Sequence, residues 1–273
     1  MSQEEIGLVL CGSGVYGSML LGVLHQCEIH LKNIRMIAGT SSGAIIGTLL
    51  CVGYTPREIT DIIKDNLPII SSESINMTQL FERYGLYSNR RFMKVILDMI
   101  IVKVGYNPTF ADIYVLYQKD LIITGTNVTT QNAIYFDRVS CPTTNVTDAL
   151  EISTCIPFVF PYILWNDQVC IDGALTDNLP MAYAHQYSPN LKLHALNIEY
   201  TYAIKPNSLV NFVLCLMKII ANKCQTQTTL ENCKIHTLYM DTLCSMTTTN
   251  PDEIEALFQK GTLTSNLFKT QDI

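Results

Sequence analysis

The sequence predicts an α/β fold with a three-layer α/β/α architecture and a mostly parallel central sheet. Short apolar stretches of strand character alternate along the chain with longer stretches of helical periodicity, as expected for parallel βαβ units. Of the 273 residues, 48% are hydrophobic and 15% are charged, so the chain can bury one large core. No repeat, low-complexity tract or linker divides it, and we expect a single domain over residues 1–273.

The first half of the chain predicts two strands that each lead into a glycine turn and then a helix. The strands are Ile6–Leu10 and Ile34–Ala38, both short and apolar. Thr55 and Pro56 supply an N-cap and a first-turn proline for a later helix. Apolar periodicity places the helices of this half at residues 18–30, 42–52, 55–64, 88–103 and 109–117.

The second half continues the alternation of strands and helices. Residues 119–126 predict a strand, with 133–137 as its hairpin partner. Further strands are predicted at 168–171, 193–199 and 235–241, and helices at 147–153, 208–222 and 251–261. The apolar stretches over 92–100 and 209–221 fit core packing better than an acyl channel or a membrane surface.

Composition argues against several classes of partner. The net charge of −6 and the lack of basic runs argue against nucleic acid. The N-terminal stretch MSQEEIGLVL is acidic, unlike a secretory signal, and no apolar window is long enough to span a bilayer. The ten cysteines show neither a CxxC pair nor zinc spacing, which favours reduced thiols and no metal. We expect a cytoplasmic protein without a cofactor, with at most transient membrane contact and no feature that sets an oligomeric state.

The stretch GTSSG, residues 39–43, lies between a predicted strand and a predicted helix. This is the pattern of a nucleophile elbow, in which Ser41 sits on a strained turn. Gly39 and Gly43 would leave room for the strand and the helix to approach each other. The free N–H groups at the helix start would favour negative charge beside the serine. The alternative interpretation is an ordinary tight loop.

The stretch CGSGVYG, residues 11–17, follows the first strand and contains GxGxxG. A dinucleotide site would require an acid at the end of the second strand, but that strand ends at Ala38 and enters GTSSG. A plain strand-to-helix turn remains possible. In a third interpretation, parallel strands bring both loops to the same sheet edge. Backbone N–H groups of the first loop would then stabilise an oxyanion formed near Ser41.

A serine nucleophile needs a base, and two kinds of candidate are present. The five histidines, at 25, 30, 185, 194 and 236, have no flanking signature and are better explained as structural. Asp172 in QVCIDGALTDNLP follows a short apolar strand and precedes a glycine. Burial would make this carboxylate a stronger base towards Ser41. An ordinary Asp-Gly turn is the alternative.

The motifs CGSGVYG, GTSSG and DGALTDNLP occur in an order that resembles the patatin-like phospholipase family. PTFADIY, LIITGTNVTT and ALEISTCIPFVFPYI also resemble that family, so the likeness covers residues 6 to about 200. It implies a metal-independent lipid acyl hydrolase, of phospholipase A or lysophospholipase type, that acts on phospholipid or another fatty-acyl ester. The catalytic residues it implies are Ser41 as nucleophile, Asp172 as general base and the N–H groups of Gly12, Ser13 and Gly14 as oxyanion donors.

Two departures from the family pattern bear on the oxyanion donors. Ser13 stands in place of a middle glycine, and Tyr16 in place of a basic residue. Two other functions compete with the main prediction. One is an α/β-hydrolase esterase with Ser41, Asp172 and a later histidine, although that fold builds several strands before its elbow. The other is a catalytically inactive lipid- or protein-binding module on the same scaffold.

Overall fold

The computed structural model of the protein describes six stretches of the chain. These are residues 4–27, 32–70, 74–200, 209–224, 230–240 and 250–265. Within them no helix is both long and apolar enough to cross a membrane. Each cysteine that can be described there is a free thiol.

The strands of the described residues form one eight-stranded sheet. In chain order they are β1 (Ile6–Leu10), β2 (Ile34–Thr40), β3 (Asp120–Asn127), β4 (Asn132–Phe136), β5 (Ile163–Trp165), β6 (Gln168–Asp172), β7 (Lys192–Tyr200) and β8 (Cys233–Met240). Strands β3, β2, β1, β7 and β8 lie side by side and are parallel. Strands β4 and β6 pair antiparallel with β3, and β5 pairs antiparallel with β6. The prediction of a mostly parallel sheet is confirmed.

Strands β2 and β6 share one edge of β3 and meet there end to end. Gly125 of β3 pairs with both β4 and β6, so these two strands lie on opposite edges. Ile123 pairs with both β4 and β2, which places β2 on the same edge as β6. Thr40 at the end of β2 pairs with Thr124, and Asp172 at the end of β6 pairs with the next residue, Gly125. Strands β2 and β6 therefore run towards each other and end beside adjacent residues of β3.

Ten helices cover the faces and ends of the sheet in the described part of the chain. They are α1 (Gly17–Gln26), α2 (Ser42–Cys51), α3 (Pro56–Ile70), α4 (Met77–Arg83), α5 (Arg90–Val104), α6 (Phe110–Tyr117), α7 (Val146–Ser153), α8 (Met181–Tyr187), α9 (Leu209–Cys224) and α10 (Pro251–Ser265). Helix α3 begins as predicted, because Thr55 and Glu58 exchange hydrogen bonds between side chain and backbone N–H. Thr109 and Asp112 form the same capping box at the start of α6.

Alternate residues of the strands face two separate hydrophobic cores. Leu8 and Leu10 of β1 belong to the larger core under α1, α2, α3, α5 and α7. Val9 between them belongs to the smaller core under α8. Parallel strands buried on both faces require helices on both sides. The three-layer α/β/α prediction is therefore confirmed, while the single domain over residues 1–273 stays a prediction.

Several predicted elements differ in extent from the structure. Helix α3 continues to Ile70 instead of ending at Lys64, because buried Leu67 extends the apolar face begun by Ile59. The helix predicted over 18–30 ends at Gln26, and residues 28–31 lie outside the described stretches. Helix α4 and strand β5 were not predicted; α4 contains no buried residue and β5 is three residues long, so neither leaves a core pattern in the sequence.

The two apolar helices expected to pack in the core differ from each other. In α5, the residues Ile96, Met99 and Ile100 are buried, as that prediction requires. In α9, Val213 and Met217 are buried, but other large apolar residues face outward. These exposed side chains are Phe212, Leu216, Ile219 and Ile220. The core-packing prediction therefore holds for only one side of α9.

Candidate active site

Ser41 occupies a sharp turn between β2 and α2. Its backbone has φ 53° and ψ −122°, a left-handed conformation that costs a residue other than glycine about 1–3 kcal/mol. Hydrogen bonds hold the turn in place. The Ser41 N–H donates to Ser153 Oγ at 2.8 Å, and the Ser41 carbonyl accepts the N–H groups of Ala44 and Ile45 at 3.0 and 3.2 Å. The strained turn is therefore fixed on both sides of the serine.

The two glycines that flank Ser41 are required by close backbone approach. A Cβ atom added at Gly39 would lie 2.6 Å from the carbonyl carbon and oxygen of Gly43. One added at Gly43 would lie 2.5 Å from the carbonyl oxygen of Leu10. Neither neighbour can move without displacing a strand or a helix. The elbow thus packs β1, β2 and α2 more tightly than any side chain would allow.

Asp172 lies beside Ser41, with each carboxylate oxygen engaged by a different donor. The Ser41 hydroxyl donates to Asp172 Oδ2 at 2.8 Å. The N–H of Ala174 donates to Asp172 Oδ1, also at 2.8 Å. The backbone of Asp172 is anchored as well, because its N–H donates to the carbonyl of Cys155 and its carbonyl accepts the Thr126 hydroxyl. The structure therefore brings together the two side chains predicted as nucleophile and base.

The environment of Asp172 changes its acidity. Its side chain is 1% exposed, and burial raises the pKa of the carboxyl group from its ordinary 3.8 to about 7. The hydrogen bonds from Ala174 and Ser41 favour the charged form and lower the pKa in part. An aspartate with a pKa near neutrality accepts a proton from a hydroxyl more readily than an ordinary one. Burial therefore makes Asp172 a stronger proton acceptor than an exposed aspartate.

The glycine loop predicted to supply oxyanion donors lies against the elbow. The N–H of Gly12 donates to the backbone carbonyl of Asn178 at 3.1 Å. The N–H of Ser13 donates to Ser42 Oγ at 3.0 Å. Gly14 has a positive φ of 55°, and its N–H has no acceptor among the described residues. The assignment of Gly12, Ser13 and Gly14 as oxyanion donors stays a prediction, and in this structure two of the three N–H groups are bonded to protein oxygens.

The loop after Asp172 connects to both of the neighbouring active-site turns. The carbonyl of Asp177 accepts the Thr40 hydroxyl at 2.9 Å, one residue before Ser41. The carbonyl of Asn178 accepts the Gly12 N–H, as described above. The Asp177 carboxylate accepts the Tyr135 hydroxyl at 2.8 Å, which ties the loop to β4. One loop therefore sets the relative positions of the base, the elbow and the glycine turn.

The histidines that the structure describes are engaged elsewhere. His194 and His236 form a buried stacked pair on β7 and β8, with ring nitrogens 3.3 Å apart. His25 packs against Phe258, and Nδ1 of His185 lies 3.8 Å from Cys233 Sγ. His30 lies outside the described residues. The Ser41 hydroxyl donates its hydrogen bond to Asp172 instead.

Sequence reasoning missed three residues of this site. Ser153 accepts the Ser41 N–H, Ser42 accepts the Ser13 N–H, and Asn178 holds the Gly12 N–H. Ser42 and Asn178 lie inside GTSSG and DGALTDNLP, so proximity to the predicted residues was the available signal. Ser153 is 112 residues from Ser41, and only the fold brings them together.

The described ranges contain no group of three or more His, Cys, Asp or Glu side chains positioned to hold a metal ion. Tyr16, which stands where a basic residue was expected from the resemblance, is fully buried in the larger core. The charge of the site therefore comes mainly from Asp172 and from the backbone N–H groups of the turns.

A mostly parallel sheet between helices, with a strained serine turn and a buried carboxylate at the carboxyl ends of its strands, defines the class of the serine ester hydrolases. Within that class, the chain belongs to the patatin-like phospholipase family. The model of that family, described as patatin-like phospholipase, matches residues 8–185. Only β1 precedes the serine strand in the described chain, as the patatin-like prediction expects.

Similar proteins extend this comparison. The chain is 32% identical over 183 residues to a probable lipid hydrolase, 463L, of invertebrate iridescent virus 6, covering 66% of this chain and 63% of that protein. It is 24% identical over 195 residues to lysophospholipase NTE1 of Meyerozyma guilliermondii, covering 67% of this chain and 12% of the fungal protein. The crystal structure of VipD from Legionella pneumophila has a TM-score of 0.56 at 15% identity, covering 97% of this chain and 66% of that one. The last comparison supports the fold alone.

Proposed function

We propose that the protein is a lipid acyl hydrolase that cleaves fatty-acyl esters through Ser41 and Asp172. The observation that carries this proposal is the 2.8 Å hydrogen bond from the Ser41 hydroxyl to a buried carboxylate with a raised pKa. Membership of the patatin-like phospholipase family supports a lipid substrate. The chain spans 63% of the length of the viral relative, so the activity of the whole protein is part of the proposal.

In the first half of the reaction, Asp172 removes the proton from the Ser41 hydroxyl as Ser41 Oγ attacks the ester carbonyl carbon. The carbonyl π electrons move to oxygen, and the resulting oxyanion is stabilised by N–H donors of the 12–14 loop and the start of α2. The intermediate then collapses. The bond from carbon to the leaving oxygen breaks, protonated Asp172 returns its proton to that oxygen, and an acyl-Ser41 ester remains.

In the second half, water replaces the alcohol. Asp172 takes a proton from the water as its oxygen attacks the acyl carbon, and the oxyanion forms again in the same place. Collapse breaks the bond to Ser41 Oγ, which regains the proton from Asp172. The products are a fatty acid, the alcohol or lysolipid released earlier, and the unchanged enzyme.

The mechanism assigns no step to a metal ion. Both oxygens of Asp172 already accept protein donors, Ser41 and Ala174. We therefore propose that turnover does not depend on calcium or another metal. Turnover that stays constant when a chelator is added supports this proposal, whereas a loss that calcium restores would contradict it.

Helix α9 offers a way for the site to reach an aggregated lipid. The helix packs against the turn 173–175, directly after Asp172. Four large apolar residues of α9 are each exposed by 42–56%: Phe212, Leu216, Ile219 and Ile220. They repeat at helical spacing on one face. We propose that this α9 face rests in the apolar boundary of a lipid surface while the substrate enters the site. The net charge of −6 makes apolar contact the dominant attraction.

Replacement of each member of the pair tests the proposed chemistry. We expect Ser41→Ala and Asp172→Asn each to reduce turnover of phospholipid and of a fluorogenic fatty-acyl ester by about 10³-fold or more. Asp167→Asn is the matched control, because it removes an exposed carboxylate from the same β5–β6 hairpin. A fluorophosphonate should label Ser41 in the wild type. Wild-type turnover in a folded Ser41→Ala variant would disprove the proposal.

The same assay separates the two competing functions. An inactive lipid-binding module would bind vesicles but show no turnover even in the wild type. A serine–histidine–aspartate esterase would lose activity when a histidine is replaced. His194→Gln is the informative variant, since His194 is on β7 next to β1. The dyad mechanism predicts turnover in this variant whenever it folds.

A further inference from the structure

The side chain of Asn178 is an unused polar group in the wall of the active site. Its Oδ1 atom is buried and has no hydrogen-bond partner within the described stretches of the chain. Most buried polar side-chain atoms in proteins are paired. An unpaired carboxamide beside a nucleophile therefore points to a partner that arrives with the substrate.

The position of this carboxamide is defined by Gly12. A Cβ atom added at Gly12 would lie 2.6 Å from Asn178 Oδ1 and 3.2 Å from Ser41 Cβ. The carboxamide and the nucleophile thus flank the same glycine. Rotation of the amide by 180° exchanges oxygen and nitrogen without changing the shape of the group. The NH₂ group can therefore take the buried place beside Gly12.

The backbone of the same residue occupies one of the expected oxyanion donors. The Asn178 carbonyl accepts the Gly12 N–H at 3.1 Å, so this N–H is directed at the protein and away from a substrate. The Ser13 N–H is similarly bonded to Ser42 Oγ. Of the three N–H groups in the 12–14 loop, only that of Gly14 remains without an acceptor in the described chain. The loop then offers one free N–H beside those at the start of α2, and a further donor would add to the stabilisation of a developing oxyanion.

We propose that the side-chain amide of Asn178 donates a hydrogen bond to the oxyanion that forms when Ser41 attacks an ester. This role rests on the proposed function and adds a donor that the glycine loop lacks. The backbone carbonyl of Asn178 accepts the Gly12 N–H, and the side chain of the same residue lies beside Gly12. Because Asn178 follows Asp172 on one short loop, the base and this donor are positioned together.

The proposal predicts a specific kinetic signature. We expect Asn178→Ala and Asn178→Asp to lower kcat by about 10²-fold or more while KM changes little, because the interaction is made in the transition state. Both variants keep the backbone carbonyl that holds Gly12. The loss should be equal for a phospholipid and for an aryl ester of the same acyl chain. A trifluoromethyl ketone, which forms an oxyanion on Ser41, should lose affinity in parallel. Exposed Asn190→Ala is the matched control.

Any kinetic result other than this equal fall in kcat would overturn the proposal. A kcat that falls only with the phospholipid, or a change in KM alone, would assign Asn178 to contact with the rest of the substrate, such as the headgroup. An unchanged kcat and KM would mean that Asn178 does not contact the substrate. If both variants fail to fold, a crystal structure of the wild type bound to the ketone tests the proposal. An Asn178 side-chain nitrogen about 3 Å from the oxyanion supports it, and a distance beyond about 4 Å overturns it. Activity in Ser41→Ala would instead overturn the proposed function itself.

Discussion

The Ser41 hydroxyl and the Asp172 carboxylate face each other at 2.8 Å because their strands end at adjacent positions of β3. β2 runs up to Thr124 and turns into the elbow, while β6 approaches from the opposite direction and stops at Gly125. An antiparallel strand thereby delivers its carboxyl end to the carboxyl edge of the parallel strands. The pair is consequently fixed by sheet hydrogen bonds and not by flexible loops alone.

The first prediction concerns the pH dependence of catalysis. In the proposed mechanism Asp172 must be ionised to accept the Ser41 proton, and burial raises the pKa of this carboxyl group to about 7. We expect kcat/KM to rise by about tenfold per pH unit below 7 and to reach a plateau above it. An exposed aspartate would give a profile that is already flat at pH 5. A stopped assay with an uncharged acyl ester across pH 5–9 measures the profile, and a flat result would remove Asp172 from the role of base.

The second prediction uses the same carboxyl group to test stability. The folded pKa of about 7 lies above the ordinary 3.8 that applies to the unfolded chain. Between these values only the folded state retains the proton, so this group makes the protein less stable as the pH rises, with no further change above 7. Asp172→Asn removes this effect. The melting temperature of the variant relative to wild type should therefore increase from pH 4 to 7 and then stay constant.

Calorimetry or thermal fluorescence in buffers of equal ionic strength measures that difference. Asp167→Asn again serves as the control for simple loss of a carboxylate. A variant-minus-wild-type difference that does not change between pH 4 and 7 would mean that the buried carboxyl group titrates near its ordinary pKa.

The local motifs of the site were predictable, but the hydrogen bonds between them were not. Gly39, Ser41 and Gly43 are constrained by steric contacts within one turn, so their spacing is visible in the sequence. Ser153 contributes only a single oxygen, which supports Ser41 from 112 residues away. Nothing in its local sequence distinguishes this serine from one that merely caps a helix. Its role follows from tertiary packing of α7 against the elbow.

In the fold, too, features set by local sequence could be predicted, while features set by tertiary packing could not. The strands buried on both faces are continuous apolar stretches, and β1, β2 and β3 were predicted to within a few residues. The antiparallel direction of β6 was not predicted, because alternation with helices indicates parallel pairing by default. For α9 the sequence favoured core packing over a membrane surface, but one face of the helix is exposed and apolar. Hydrophobic periodicity identifies an apolar helix but does not say which surface remains uncovered.

The third prediction tests the support of the elbow by Ser153. Ser153→Ala leaves the buried Ser41 N–H without an acceptor, which should reduce the free energy of unfolding by about 1–3 kcal/mol. The serine turn is also expected to loosen, so kcat should fall. Thr60→Ala is the control, since it removes a buried hydroxyl that bonds within α3. Urea unfolding and kcat together are informative: a loss of stability with unchanged kcat would assign Ser153 to the core alone.

The fourth prediction compares two glycines with different surroundings. Gly43→Ala would place a methyl group 2.5 Å from the Leu10 carbonyl, so we expect little or no folded protein. Gly105 follows α5 with φ 90°, and an added Cβ atom there would meet open space. Gly105→Ala should therefore lower the free energy of unfolding by only about 1 kcal/mol. The yield of folded protein and the melting temperature distinguish the two cases. Equal, mild destabilisation in both variants would refute tight packing at the elbow.

The final prediction concerns the α9 face. Phe212 and Ile219 are 49% and 56% exposed, and both lie on the helix that packs beside the turn after Asp172. Replacing both by Gln should weaken binding to phosphatidylcholine vesicles by about tenfold or more, because two partly buried apolar side chains lose their contact with lipid. Hydrolysis of a soluble short-chain ester should not change. Val102→Gln is the matched control, as Val102 is a highly exposed apolar residue of α5. Vesicle sedimentation at two salt concentrations measures the binding. If the double variant sediments as well as wild type, the α9 face is not the lipid contact, and equal weakening by Val102→Gln would indicate unspecific adsorption.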